Sequence, residues 1–358
     1  MEAYFDNSAT TRVLDSVMDI VTRTMTVDYA NPAAKHIRGM EAENYIRDAR
    51  SIIAKTLKVA DKEILFTSGG SESNNMALIG TAMANKRAGM HIISTNVEHA
   101  SIYNTLGFLQ EQGFEITYLP VDHNGHIDLD QLREAVRPDT ILVSVMYVNN
   151  EVGSVEPVAE ISRVIKAKNP STIFHVDAIQ AYGKYEIRPK KEGIDLLSVS
   201  GHKIHGPKGV GLLYVGERVK IQPIVFGGGQ QQNLRSGTEN VPGIAGLAKA
   251  AEMLYSHFDE DHARLCACKR RFIEGVERLD QVKVNGLLPD APYGEGTAAH
   301  IVSVSFAGVR SEVLLFLLHY GVEHDLKQHV PQLFLHTGEI VPVNGVQRLV
   351  GLLQKIPA

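Results

Sequence analysis

The chain has no tryptophan, two cysteines, few aromatic side chains (6%) and no long apolar run. Each lack excludes something. Cys266 and Cys268 cannot build a disulfide framework. Two positions apart in a helical stretch, at about 100° per residue, they point to nearly opposite faces. A reducing compartment fits that usage. No segment resembles a membrane span of about 20 apolar residues. The opening MEAYFDNSATT, with Glu2 and Asp6, lacks the basic-then-apolar order of a secretory signal. A surplus of one charge is missing too: 36 basic against 41 acidic residues give a net charge of −5. That balance argues against nucleic acid as a partner, because phosphate contacts need excess Lys and Arg. Fifteen histidines occur without an H-x-x-x-H or C-x-x-C pair, so no metal site is predicted. What remains is 358 residues, 44% hydrophobic and 22% charged, too apolar for a disordered chain. At roughly 100–200 residues per domain, one large α/β unit and a smaller one are expected. A folded cytoplasmic protein without membrane attachment is the reading.

Short apolar runs recur at 63–67, 91–96, 114–120, 140–148, 172–178, 195–200 and 209–215. Most are continuous rather than alternating, as expected for strands covered on both faces of a parallel sheet. Helical patterns fill 40–57, 72–84, 100–112, 129–136 and 157–168 between them. This alternation predicts a doubly wound or related α/β sheet. Beyond it, Ile244, Leu247, Ala248, Ala251 and Leu254 mark one face of a long helix. A second helix around 261–279, a strand at 300–308 and a helix at 311–321 follow, so a domain change is placed near residue 255.

Chemistry gathers where the strands end. In LLSVSGHKIHGPKGVG (196–211) an apolar strand runs into Ser200, His202 and Lys203. An amine at a parallel strand end can form a Schiff base with a carbonyl. A P-loop is excluded there, because Gly206 is followed by Pro207. TSGGSESNN (67–75) is either an anion cup at a helix N-terminus or a helix capped by Ser71 or Ser73. FHVDAIQAYGK (174–184) leaves Asp177 at a strand end, as partner of a ring nitrogen or as the cap of a turn. His99 in NVEHAS is a candidate for ring stacking and acid–base work. VNNEVG offers Asn149 and Asn150 in what also reads as a plain turn. GGGQQQNLRSGTEN (227–240) is either a linker or a source of phosphate ligands in Arg235, Ser236 and Thr238. Together these make the equipment of a pyridoxal phosphate enzyme.

Those segments, with YFDNSATT (4–11) and NPAAKHIRG (31–39), resemble in order the NifS/IscS-type cysteine desulfurases. These are class V aminotransferase relatives among the fold-type I pyridoxal phosphate enzymes. The resemblance runs from residue 4 to about 318. It implies a mostly parallel central sheet flanked by helices, plus a smaller α+β C-terminal domain. Residues 13–255 would form the large domain, and 1–12 with 256–358 the small one. It further implies that Lys203 binds pyridoxal 5'-phosphate covalently, Asp177 faces the pyridine nitrogen, Gln180 the phenolic oxygen and His99 the ring. Gly70, Ser71, Ser200 and His202 would hold the phosphate, with Thr238 reaching over from the neighbouring subunit of a homodimer. Asn150 would lie near substrate and cofactor. The family reaction turns L-cysteine into L-alanine and leaves sulfur as a persulfide on an enzyme cysteine, from which an acceptor protein takes it.

The tail departs from that pattern. Residues 320–358 hold no cysteine, no G-S-A-C and no R-x-S motif. Arg348 has no motif around it, and the helical Cys266 and Cys268 are expected to be packing residues. A frame change or shortened gene is one account, a genuine divergent ending another, and 333–343 is expected to pack poorly. The expectation is a complete cofactor site with poor sulfur transfer. Two rivals are a selenocysteine or cysteine-sulfinate lyase and an inactive homologue acting as partner or regulator.

Overall fold

The computed structural model describes residues 4–279, 281–286, 296–308, 310, 311 and 314. The chain opens with helices α1 (Asp15–Thr26) and α2 (Ile37–Leu57), then alternates strand and helix: β1 (Ile64–Thr67), α3 (Gly70–Asn85), β2 (His91–Thr95), α4 (Ala100–Glu111), β3 (Glu115–Leu119), α5 (Leu129–Ala135), β4 (Thr140–Met146), α6 (Val158–Lys168), β5 (Ile173–Asp177), α7 (Pro189–Glu192) and β6 (Leu196–Ser200). Strand β7 (Gly211–Val215) leads into α8 (Val241–Ser256), α9 (Phe258–Val276), β8 (Val282–Asn285) and β9 (Ser303–Phe306).

Seven strands form one sheet in the order β1-β7-β6-β5-β4-β2-β3. The pairs β3–β2, β2–β4, β4–β5 and β5–β6 are parallel, whereas β7 runs antiparallel to both β6 and β1. The continuous apolar runs have a direct cause. Successive strand residues point to opposite faces, and both faces are covered. Ile93, Val143, Val176 and Leu197 join one core, with α2, α6 and α8. Their neighbours Ile92, Leu142 and Leu196 join the other, with α3 and α4. Only the edge strand β3 opens to solvent, beginning with exposed Glu115.

All seven expected strands are present in this sheet. The run at 140–148 leaves the ladder after Met146, where Asn149 Oδ1 accepts from the N–H groups of Glu151 and Val152 (both 2.9 Å) and turns the chain. Helix α1 is an addition: Val17, Ile20, Val21 and Thr24 share one face at helical spacing, and Val17 and Thr24 are buried. α9 begins three residues before the expected 261, and β9 pairs antiparallel with β8 inside the expected 300–308. The expected helix at 311–321 falls mostly outside the described residues, as do 320–358 and the segment 333–343 within them. Among the described residues, no helix is long and apolar enough to cross a membrane.

Candidate active site

Parallel strands deliver their carboxyl ends to one edge of a sheet. Here the segments after β1, β2, β4, β5 and β6 meet at that edge around a cavity of about 490 Å³. Gly70, Ser71, His99, Asn150, Asp177, Gln180, Ser200, His202 and Lys203 all line it. Thr238 is exposed and does not.

Asp177 ends β5 with 5% of its surface exposed. Its Oδ1 accepts from the Ile179 N–H (3.0 Å) and its Oδ2 from the Asn74 amide (2.8 Å). Burial raises its carboxyl above the usual range, while those two bonds and the facing His99 and Lys203 work to keep it charged. The Asn74 amide also donates to Ser101 Oγ (2.9 Å), which lies 2.9 Å from His99 Nδ1. A continuous hydrogen-bonded line therefore joins the His99 ring to the Asp177 carboxylate. His99 is the N-cap of α4, its Nδ1 accepting from the Ser101 N–H at 3.1 Å, so its ring position follows from the helix start.

Lys203 lies in a short 3-10 turn directly after β6. Its Nζ donates to the carbonyl of Ser8, and to that of Ala9 at 2.8 Å. Burial lowers the amine's pKa, against the pull of Asp6 and Asp177. Gln180 Nε2 reaches the same Ser8 carbonyl (2.9 Å), while its Oε1 is buried with no partner among the described residues. His202 Nδ1 lies 3.1 Å from Thr10 Oγ1.

Two glycines shape the opposite wall. Gly69, at φ 150°, turns the chain from β1 into α3, and no side chain caps that helix. A Cβ on Gly70 would stand 2.1 Å from Ile179 Cδ1, so a larger residue there would displace the Ile179 side chain. Ser73, offered above as a cap, turns inward to the carbonyl of Leu212 (2.9 Å), whereas Ser71 faces the cavity. The uncapped N–H groups of α3 form a ready anion site.

Two of the residues that could have been phosphate ligands have partners of their own. Arg235 is not aimed at the cavity: it forms a two-pronged ion pair with Glu72 (2.7 and 3.2 Å), which holds that carboxyl below its usual range. Ser236 is buried, its Oγ accepting from the Gly229 N–H at 3.4 Å. Cys266 and Cys268 lie on α9 outside the cavity lining. Burial pushes the Cys266 thiol up, and its sulfur is 3.6 Å from His262 Nε2.

Sequence reasoning missed several contributors. Asp6, Ser8 and Ala9 strap one side of the cavity and Ser101 lines it, while Asn74, Glu98 and Lys184 support it from behind. Their roles depend on partners far away in the chain, and the Ser8 carbonyl has no side-chain signature at all. Among the described residues, no group of three or more His, Cys, Asp or Glu could hold a metal.

This fold and cavity define a class. The chain belongs to the class-V aminotransferase family, whose model matches residues 3–325. Within that class it is 43% identical over 316 residues to the cysteine desulfurase IscS of Methanosarcina thermophila, covering 88% of this chain and 76% of the relative. A NifS-like protein of known structure superposes with a TM-score of 0.85 at 39% identity, covering 90% of this chain and 86% of its own. SspA in complex with cysteine superposes with a TM-score of 0.77 at 34% identity, covering 90% and 88%. These relatives are fold-type I enzymes that depend on pyridoxal phosphate. The donor set fits that cofactor: a buried carboxylate, an amine of lowered proton affinity and an uncapped helix start.

Proposed function

We propose that this chain holds pyridoxal phosphate through Lys203 and acts on L-cysteine as a desulfurase-type enzyme. The convergence of Lys203, Asp177, His99 and the uncapped start of α3 on one cavity supports the reading most directly. Bound there, the cofactor supplies an electron sink for bonds around the amino-acid α-carbon. Asp177 would pair with its ring nitrogen, Gln180 with its phenolic oxygen and His99 with the ring face. Gly70, Ser71, Ser200 and His202 would take the phosphate, and Asn150 would face the substrate. Lys203 would hold the cofactor through Nζ and would move a proton beside the substrate.

Thr238 would act in the cavity of a second copy, in a cytoplasmic homodimer. Exposed apolar side chains favour such a partner, among them Ile37 (74% exposed), Phe226 (76%) and Tyr29 (69%). The division into a cofactor unit at 13–255 and a smaller unit from 1–12 and 256–358 belongs to the same proposal. So does an acceptor protein of iron–sulfur assembly.

No cysteine occurs between residues 269 and 358, and Cys266 and Cys268 lie outside the cavity lining. Sulfur transfer by this chain is therefore expected to be weak. The same observation favours a second reading, turnover of selenocysteine or cysteine sulfinate, whose leaving groups depart without attack by a thiol. An inactive homologue that regulates a partner is the third.

The test loads the protein with pyridoxal phosphate and follows sulfide and alanine release from L-cysteine under reductant, with Lys203→Ala as blank. Visible absorbance that Lys203→Ala abolishes supports the cofactor reading, and its persistence in that variant overturns it. Release above the blank makes the chain a desulfurase. Release only from selenocysteine or sulfinate selects the second reading, and none from any substrate the third.

A further inference from the structure

Glu98 immediately precedes His99 in the turn between β2 and α4. Its carboxyl runs back behind the cavity, where Oε1 accepts from the Thr95 hydroxyl (2.8 Å) and from the Met146 N–H (2.9 Å). The side chain thus ties the end of β2 to the end of β4. Oε2 is shut off from solvent and has no partner among the described residues. Asp177 is the register partner of Met146 on the next strand.

Two carboxyl groups in one water-poor place do not both ionise cheaply. Asp177 has an N–H, an amide and the facing His99 and Lys203 to favour its charge. Glu98 has one N–H and one hydroxyl, and the charged groups that bear on it, Asp177 from β5 and Glu156 from the segment after β4, are both acidic. The proton belongs on Glu98.

We propose that Glu98 is a positioning residue that works as a neutral carboxylic acid, fixing the His99 turn and the end of β4 while leaving the negative charge to Asp177. The proposal rests on the pyridoxal phosphate reading for its consequence, but not for the protonation itself. Burial, with the charge of Asp177 adding to it, holds the Glu98 carboxyl up at about 8. A charged Glu98 would act through its negative charge. A neutral one acts through shape and hydrogen bonds, which glutamine reproduces.

The experiment compares the full chain with Glu98→Gln and Glu98→Ala. Pyridoxal phosphate affinity and the visible circular dichroism of the bound cofactor are read at pH 7. Glu98→Gln is expected to match the parent within about twofold, and Glu98→Ala to bind about tenfold more weakly with a diminished signal, as one lost buried strut implies. Glutamine as harmful as alanine would show that the charge is needed and overturn the proposal, as would alanine equal to the parent. Melting temperatures give a second arm that needs no cofactor. A carboxyl held above its unfolded pKa costs the fold stability as pH rises from about 4.5 to about 8. The advantage of Glu98→Gln over the parent should therefore grow across that window and then level off. A constant difference refutes the neutral acid even if alanine fails to fold. If the parent shows no visible absorbance, the cofactor reading fails, while the melting arm still decides where the proton sits.

Discussion

Asn74 offers a sharp test of how the cavity is wired. Its amide is fully buried on α3 and donates at once to Asp177 Oδ2 (2.8 Å) and Ser101 Oγ (2.9 Å). Asn74→Ala deletes both bonds. A hydrogen bond to a charged group contributes about 1.5–3 kcal/mol, and one between neutral groups about 0.5–1.5 kcal/mol. The size of the loss therefore depends on whether Asp177 is ionised. Its carboxyl binds its proton more tightly in the fold than in the unfolded chain, because burial outweighs its partners. Stability contributed by the protonated form is fully present below the unfolded carboxylate range and is lost as pH rises past it. Removing Asn74 must steepen that decline.

Urea unfolding at pH 4 and pH 8 measures the effect directly. Summed over the two bonds and before any packing cost, the variant should lose about 1–3 kcal/mol at pH 4 and about 2–4.5 kcal/mol at pH 8, a difference of about 1–1.5 kcal/mol. The packing cost of the missing amide atoms is common to both conditions, so the difference isolates the charge. Equal losses at the two pH values would refute the argument, since they would mean that Asn74 does not support an anion. A cofactor titration should also weaken, because Ser101 loses the partner that sets its hydroxyl against His99.

Two further substitutions probe the same region. Gly70→Ala would force Ile179, which lines the cavity, to swing away from the new methyl group. Pyridoxal phosphate affinity measured by absorbance should fall about tenfold, with Gly70→Ala/Ile179→Val recovering most of it. Lys184 donates to the Lys203 carbonyl at 2.8 Å, and burial with the Lys203 charge pushes it down to about 7. A lysine held below its unfolded value costs the fold stability as pH falls from about 10.5 to about 7, and the loss is constant below that. The melting temperature of Lys184→Met should therefore gain on the parent down through that window, and a pH-independent difference would contradict it.

What was legible in the sequence is what a residue does through its own type and local position. Strands covered on both faces show as unbroken apolar runs, so β4, buried along its whole length, was plain. Lys203 and Asp177 drew notice because a charge at the end of an apolar strand needs a reason. Helix α1 was missed although Val17, Ile20, Val21 and Thr24 carry helical spacing, because it precedes the strand–helix alternation on which the reading rested. Arg235 misled for a different reason. A cation beside a serine and a threonine before a helix looks like a phosphate site, and nothing local shows that Glu72 claims it from 163 residues away. Asn74 and Glu98 were hidden in the same way. Each sits beside a recognised motif residue, but Asn74 acts through Asp177, 103 positions away, and Glu98 through Met146, 48 positions away. A residue whose chemistry is pairing becomes visible only when the sheet order brings its partner to it.

The distribution of the cavity wall along the chain bears on the altered tail. Among the described residues, those that line the cavity fall between Asp6 and Lys203. The hydrogen bonds that hold the side chains of Asp177, Gln180, His202 and Lys203 among the described residues come from residues 8–10, 74 and 179. Among the described residues, the cavity wall is thus assembled by residues 6–203, whereas neither Cys266 nor Cys268 lines it. The sequence from 269 to 358 supplies no cysteine. Holding the cofactor and accepting the sulfur are consequently separable here. A thiol added in solution should raise sulfide release without changing cofactor affinity, because it supplies the missing nucleophile and touches none of the residues that line the cavity.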